Sequence, residues 1–190
     1  MSPFLDSSVP PQVLVRARAG DEAAQADIYR AFERPVRTLA LRLVTRRAVA
    51  EDLAQDTFVE LFTSLHQYDG RGSFAGWVRS IAVSKCLMHL RSPWHRRLRW
   101  LADEPVAPAV TQAVDVDVDL ERALARLGDE ARLVVWLHDV EGYTHAEIGA
   151  LLGGTPSLSK SQLSRAHARL RELLEPAGES APCLPLSTST

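Results

Sequence analysis

No run of about 18 apolar residues, the least a membrane-spanning helix needs, occurs in this sequence, and only two cysteines, Cys86 and Cys183, stand among its 190 residues. Two cysteines so far apart make neither a disulfide framework nor a zinc ligand set, so both are expected to be plain thiols, which suits a reducing compartment. Met1 to Pro11 lack the basic stretch followed by an apolar core that marks a secretion signal, and the expected setting is the cytoplasm. Glycine-rich phosphate loops and nucleophile motifs are missing as well. His66, His89, His95, His138, His145 and His167 show no metal-ligand spacing with carboxylates. Neither catalysis nor a metal nor a cofactor is therefore expected.

What is present is charge sorted into blocks. The formal net charge of -2 conceals a stretch from Asp69 to Asp103 with no acid inside it, where Arg71, Arg79, Lys85, Arg91, Arg96, Arg97 and Arg99 fall. A second acid-free stretch, between Glu147 and Glu172, carries Lys160, Arg165, Arg169 and Arg171. Between the two blocks lie Asp103, Glu104, Asp115, Asp117, Asp119 and Glu121, with no base from Arg99 to Arg122. Two basic faces joined by an acidic connector fit a polyanionic partner better than the average charge does, although a solvated surface also carries such blocks.

Apolar residues recur at helical spacing from Val13 to Arg99, so the first half reads as a helical bundle and the whole chain as all-α. Asp21 is placed to cap a helix running to about Arg46, kinked at Pro35. The next helix, Val49 to His66, has the apolar face Leu53, Phe58, Leu61, Phe62, Leu65. After the turn Asp69-Gly70-Arg71-Gly72, Ser73 caps a helix with Phe74, Trp77, Val78 and Ile81 on its inner stripe, stopped by Pro93. Residues 103–118, with Pro105 and Pro108, read as an extended acidic linker, and the tail after Pro176 as disordered. Helical signal resumes at Leu120, with further helices over Asp129 to Val140, Thr144 to Leu152 and Ser157 to Leu174.

The last two form a helix-turn-helix. Thr144-His145-Ala146-Glu147 is a capping box, Gly153-Gly154 ends the first helix, and Ser157 or Ser159 caps the second, whose inner face is Leu163, Ala166, Leu170 and Leu173. Its outer face presents Lys160, Ser161, Gln162, Ser164, Arg165 and Arg169. A major groove reads such side chains well, since Arg and Lys pair with guanine, Gln with adenine, and Ser with phosphate.

Three motifs, in order, resemble those of the extracytoplasmic-function sigma factors of the sigma-70 family. Ala50-Glu51-Asp52-Leu53-Ala54-Gln55-Asp56-Thr57-Phe58 resembles the stretch that docks on the coiled coil of the largest polymerase subunit. Phe74-Ala75-Gly76-Trp77-Val78-Arg79-Ser80-Ile81-Ala82 looks like the promoter-melting helix, and Lys160 to Arg171 resembles the upstream-element recognition helix. The resemblance implies a sigma region 2 module over residues 10–100, a linker over 101–118, a region 4 helix-turn-helix module of four helices over 119–175 and a tail over 176–190. It implies core-polymerase contacts at Glu51, Asp52, Gln55 and Asp56, and downstream-element contacts at Tyr68, Arg71, Ser73, Arg79, Ser84, Lys85 and Arg91. The loop Tyr68 to Ser73 would take a base pulled from the duplex, with Phe74 and Trp77 in the core. The implied partners are core RNA polymerase, through its coiled coil and flap, promoter DNA and an anti-sigma factor.

Two departures stand out. Many members carry Asn where this chain has Ser84 and often Asp where it has Met88, and a common Gly-Thr-Val-Lys-Ser turn is here Ser157-Leu158-Ser159-Lys160-Ser161. A stand-alone helix-turn-helix regulator with a sensing or dimerising bundle explains residues 129–174 equally well. It leaves the second basic helix and the long connector without a purpose. Asp115, Asp117 and Asp119 of that connector are expected to lie against the basic faces in the free protein.

Overall fold

The computed structural model describes residues 2–4, 6–44, 46–92 and 118–175. Among them the chain is all-α, with eight helices and no strand. The first module holds α1 (Pro11–Arg18), α2 (Glu22–Val44), α3 (Arg47–Ser64) and α4 (Phe74–Arg91), and the second holds α5 (Val118–Ala125), α6 (Asp129–Val135), α7 (His145–Leu152) and α8 (Pro156–Leu174). The expected acidic linker, its three aspartates and the tail after Pro176 lie outside the described residues.

Local chemistry sets most boundaries. Asp21 Oδ1 accepts from the backbone N–H groups of Ala23 and Ala24 at 2.9 and 3.1 Å, meeting two of the donors a helix start leaves over. Arg16 holds its other oxygen at 2.7 Å. Hydrogen bonds from Arg16 and Ala24 keep the Asp21 carboxyl below the usual carboxylate range. Pro35 sits buried inside α2, and the helical assignment runs through it without a break. A short 3-10 turn, Leu65–Gln67, closes α3. Helix α6 widens after Val135 into a π-type turn, Trp136–Val140, where the sequence reads as one α-helix.

The periodic apolar stripes converge as their spacing predicts. Ile28, Phe32, Val36, Leu39 and Leu43 of α2 pack with Leu53, Phe58 and Leu61 of α3 and with Phe74, Val78 and Ala82 of α4, all buried. Each such large side chain contributes about 1.5–3 kcal/mol of burial. In the second module Leu133, Val134, Leu137 and Ile148 are buried against Leu163, Ala166 and Leu170 of α8. Leu173, Trp77, Phe62 and Ile81 are only partly covered.

Candidate nucleic-acid and polymerase interfaces

Helix α7 begins with the expected capping box. The Thr144 N–H donates to Glu147 Oε2 at 2.7 Å, and Glu147 N–H donates back to Thr144 Oγ1 at 3.2 Å. The Thr144 backbone and hydroxyl hydrogen bonds hold the Glu147 carboxyl below its ordinary range. The helix ends at Gly153, whose φ of 70° is left-handed, as a glycine C-cap requires. Helix α8 is capped by Thr155, whose hydroxyl accepts from Leu158 N–H at 3.2 Å, with Pro156 at the first helical position. The cap expected at Ser157 or Ser159 thus moves upstream. A proline fits the first turn and the residue before it favours an extended backbone, so Thr155 takes the role. Ser157 falls in the first turn, and Ser159, fully buried, lies 3.0 Å from His145 Nδ1.

Two features of the turn escaped the sequence. A Cβ at Gly149 would lie 2.8 Å from the carbonyl carbon of Thr155, so only glycine lets the two helices approach this closely. An isolated glycine inside a helical pattern was the available signal. Asp139 is the second: it accepts from His167 Nε2 of α8 at 2.7 Å and lies 2.9 Å from His138 Nδ1, tying the middle of α8 to the π turn. The His138 and His145 rings stack at 4.5 Å. Desolvation, then the His138 and Lys160 charges, lower the pKa of His145. Among the described residues no group of three or more His, Cys, Asp or Glu side chains is arranged to hold a metal.

Lys160, Ser161, Ser164, Arg165 and Arg169 are exposed along α8, with Gln162 half-buried beside them. Arg169 pairs with Glu172 at 2.7 Å, whereas no ion pair holds Lys160 or Arg165 among the described residues. The face is free to meet an acidic surface.

In the first module Ser73 caps α4, its Oγ accepting from Gly76 N–H at 2.9 Å. Tyr68 is buried: its ring lies 5.2 Å from Phe74 and 5.5 Å from Trp77, and its hydroxyl donates to the Gly72 carbonyl at 2.9 Å. Tyr68 is therefore a wall beneath the loop rather than an open stacking surface. Arg71 projects into solvent with Asp69 3.2 Å away. Ser80, Ser84, Met88 and Arg91 form one exposed stripe of α4 at helical spacing, and Lys85 reaches Glu60 at 3.4 Å. Arg79 and Arg91 both reach the second module: Arg79 Nη1 donates to the Glu141 carbonyl at 2.6 Å, and Arg91 Nη2 donates to that of Leu151. Cys86 is buried and its thiol is pushed up to about 12 by burial, an unreactive group.

On α3, Asp52, Gln55 and Asp56 are exposed and Glu51 half-buried, paired to Arg47 at 2.8 Å. Glu51 and Gln55 border a cavity of about 180 Å³ that α2 completes with Tyr29, Glu33 and Arg37. The Tyr29 ring, 41% exposed, lies 4.6 Å from that of Phe58. These α2 residues are separated from the acidic motif in sequence, and only the α2–α3 packing brings them to it.

A family model described as Sigma-70 region 2 matches residues 28–96, and one described as Sigma-70, region 4 matches 117–170. The chain is 32% identical to the RNA polymerase sigma factor CarQ of Myxococcus xanthus over 84% of this chain and 94% of that protein. It is 35% identical to the ECF RNA polymerase sigma factor SigM of Mycobacterium tuberculosis over 86% of this chain and 83% of that one. Among solved structures it is similar to the sigma factor RpoE of Bartonella quintana, crystallised with the anti-sigma factor NepR. The TM-score is 0.58 at 26% identity, covering 75% of this chain and 91% of that one.

Proposed function

The chain belongs to the sigma-70 family and is an RNA polymerase sigma factor of the extracytoplasmic-function group, and on that premise we propose how its two modules divide promoter selection. The second module reads the upstream element with Lys160, Ser161, Gln162, Ser164, Arg165 and Arg169 of α8. The first module holds the downstream element with Arg71, Arg79, Ser84, Lys85 and Arg91, the loop from Tyr68 to Ser73 receiving an unstacked base. Core polymerase docks on Glu51, Asp52, Gln55 and Asp56, and Tyr29 and Arg37 extend that surface onto α2. The protein works in the cytoplasm, where an anti-sigma factor restrains it as NepR accompanies the Bartonella quintana relative.

One observation carries the reading. The N-terminal half of α8 stands exposed and free of acids on a capped helix-turn-helix, which is the part of such a unit that enters a major groove. The stand-alone regulator leaves the region 2 match unexplained. Transcription reconstituted from core polymerase, this protein and genomic DNA should give start sites sharing two separated elements. Tight DNA binding without core, combined with no initiation in its presence, would refute the division of labour. An Asp52→Ala, Gln55→Ala double variant is expected to lose core binding while melting at the wild-type temperature.

A further inference from the structure

Arg79 and Arg91 are assigned above to melted promoter DNA, yet both are engaged by the second module. The Arg79 guanidinium donates to the Glu141 carbonyl at 2.6 Å, stands 3.8 Å from Glu141 Oε2 and lies over the Tyr143 ring at 4.6 Å. An anionic oxygen, a polar oxygen and an aromatic face are what a single strand offers an arginine through phosphate, sugar and base. Arg91 meets the carbonyl of Leu151, in the last turn of α7, where a helix leaves its unpaired oxygens. We propose that the free protein is closed: Glu141 and Tyr143 occupy Arg79 in place of DNA, and the melting helix becomes available only when the modules part. The proposal rests on the reading of Arg79 as a DNA contact.

The N-terminal segment holds this arrangement. The Ser2 hydroxyl donates to Glu141 Oε2, and Phe4, 1% exposed, packs its ring 6.5 Å from that of Phe32 on α2. The Glu141 carboxylate is thereby tied to the first module from two sides. The pairing is nevertheless imperfect. Arg79 Nε and Glu141 Oε1 are buried with no partner, although a phosphate could take two N–H groups of the guanidinium at once. Charged groups left partly unsatisfied in a buried contact favour exchange for a better anion. The contacts of Arg79 and Arg91 are polar throughout, as in interfaces between domains that move. Lys160 and Arg165 stay exposed in the closed form, so closure covers the downstream contacts and leaves the upstream ones open.

Glu141→Gln in the full chain tests this. Small-angle scattering should show a larger radius of gyration, and affinity for a labelled oligo-dT strand without polymerase should rise about tenfold, an ordinary coupling between sites. Glu130→Gln removes the same charge from an exposed position on α6 and should change neither. Adding Arg79→Ala to Glu141→Gln should abolish the affinity gain. An unchanged radius overturns the closed form. A larger radius with no gain in affinity overturns the DNA assignment of Arg79, and the proposal with it. Should Glu141→Gln fail to fold, Ser2→Ala removes only the strap's hydrogen bond and is expected to shift both readouts in the same direction, and no shift in either would refute the proposal.

Discussion

Arg165 is exposed on the outer face of α8, one turn beyond Ser161, and no ion pair occupies it among the described residues. A guanidinium so placed can spend both arms of its fork on a guanine edge. Arg165→Ala should cost about 1–3 kcal/mol of binding at the upstream element and relax preference at one base pair. Promoter-library transcription with the reconstituted holoenzyme checks this. A uniform loss across all sequences would instead make Arg165 a phosphate contact. Residue types and spacing made this face legible in the sequence, because solvent-facing positions follow from helical period alone. Tyr68 shows the limit. Its position beside the melting motif is legible, but the burial of its ring depends on Phe74 and Trp77 closing over it, which no local pattern encodes.

At the scale of the element, the helix-turn-helix depends on an angle fixed by Gly149 and on two caps. A methyl at position 149 would press on the Thr155 backbone, which cannot rotate aside as a side chain can. Gly149→Ala should therefore destabilise the second module by about 1–3 kcal/mol, although alanine is the better helix former. Thermal melting reads that loss, and a gain in stability would show that the turn has room. The capping box adds a pH dependence. Glu147 has a folded pKa below its unfolded value, so its stabilisation is complete above the unfolded value and is lost as pH falls through the folded one. Glu147→Gln keeps the cap's hydrogen bond to the Thr144 N–H but cannot titrate. Its melting temperature should fall less than the wild type's as pH drops below the carboxylate range, and parallel curves would exclude Glu147 as the group responsible. Thr144 and Glu147 announce this cap by their spacing. The start of α8 was misplaced because Ser157 and Ser159 are equally good caps by type, and the Thr155-Pro156 pair outweighs them by conformation.

At the scale of the molecule, each module can be read from its own periodicity, whereas their mutual packing cannot, since it depends on side chains distant in sequence. Arg132 is the clearest case: buried on α6, it donates to the Leu127 carbonyl at 3.1 Å and to Asp129 at 2.8 Å within its own module. It also donates to the Leu43 carbonyl at 2.9 Å, at the end of α2 in the other module. Close by, Arg42 of α2 pairs with Glu121 of α5 and lies 5.5 Å from the Trp136 ring. In sequence Arg132 is only a cation interrupting an apolar run. Arg132→Met keeps most of the stem's apolar contact but withdraws every donor, leaving buried carbonyl oxygens without a partner at about 1–3 kcal/mol each. A net loss of about 2 kcal/mol would lower the melting temperature by roughly 4–8 °C for a chain of this size. Because the lost bonds lie both within the second module and across to the first, calorimetry should show a lower and broader transition, with the second module melting ahead of the first. A transition lowered but unchanged in shape would place the role of Arg132 within the second module alone.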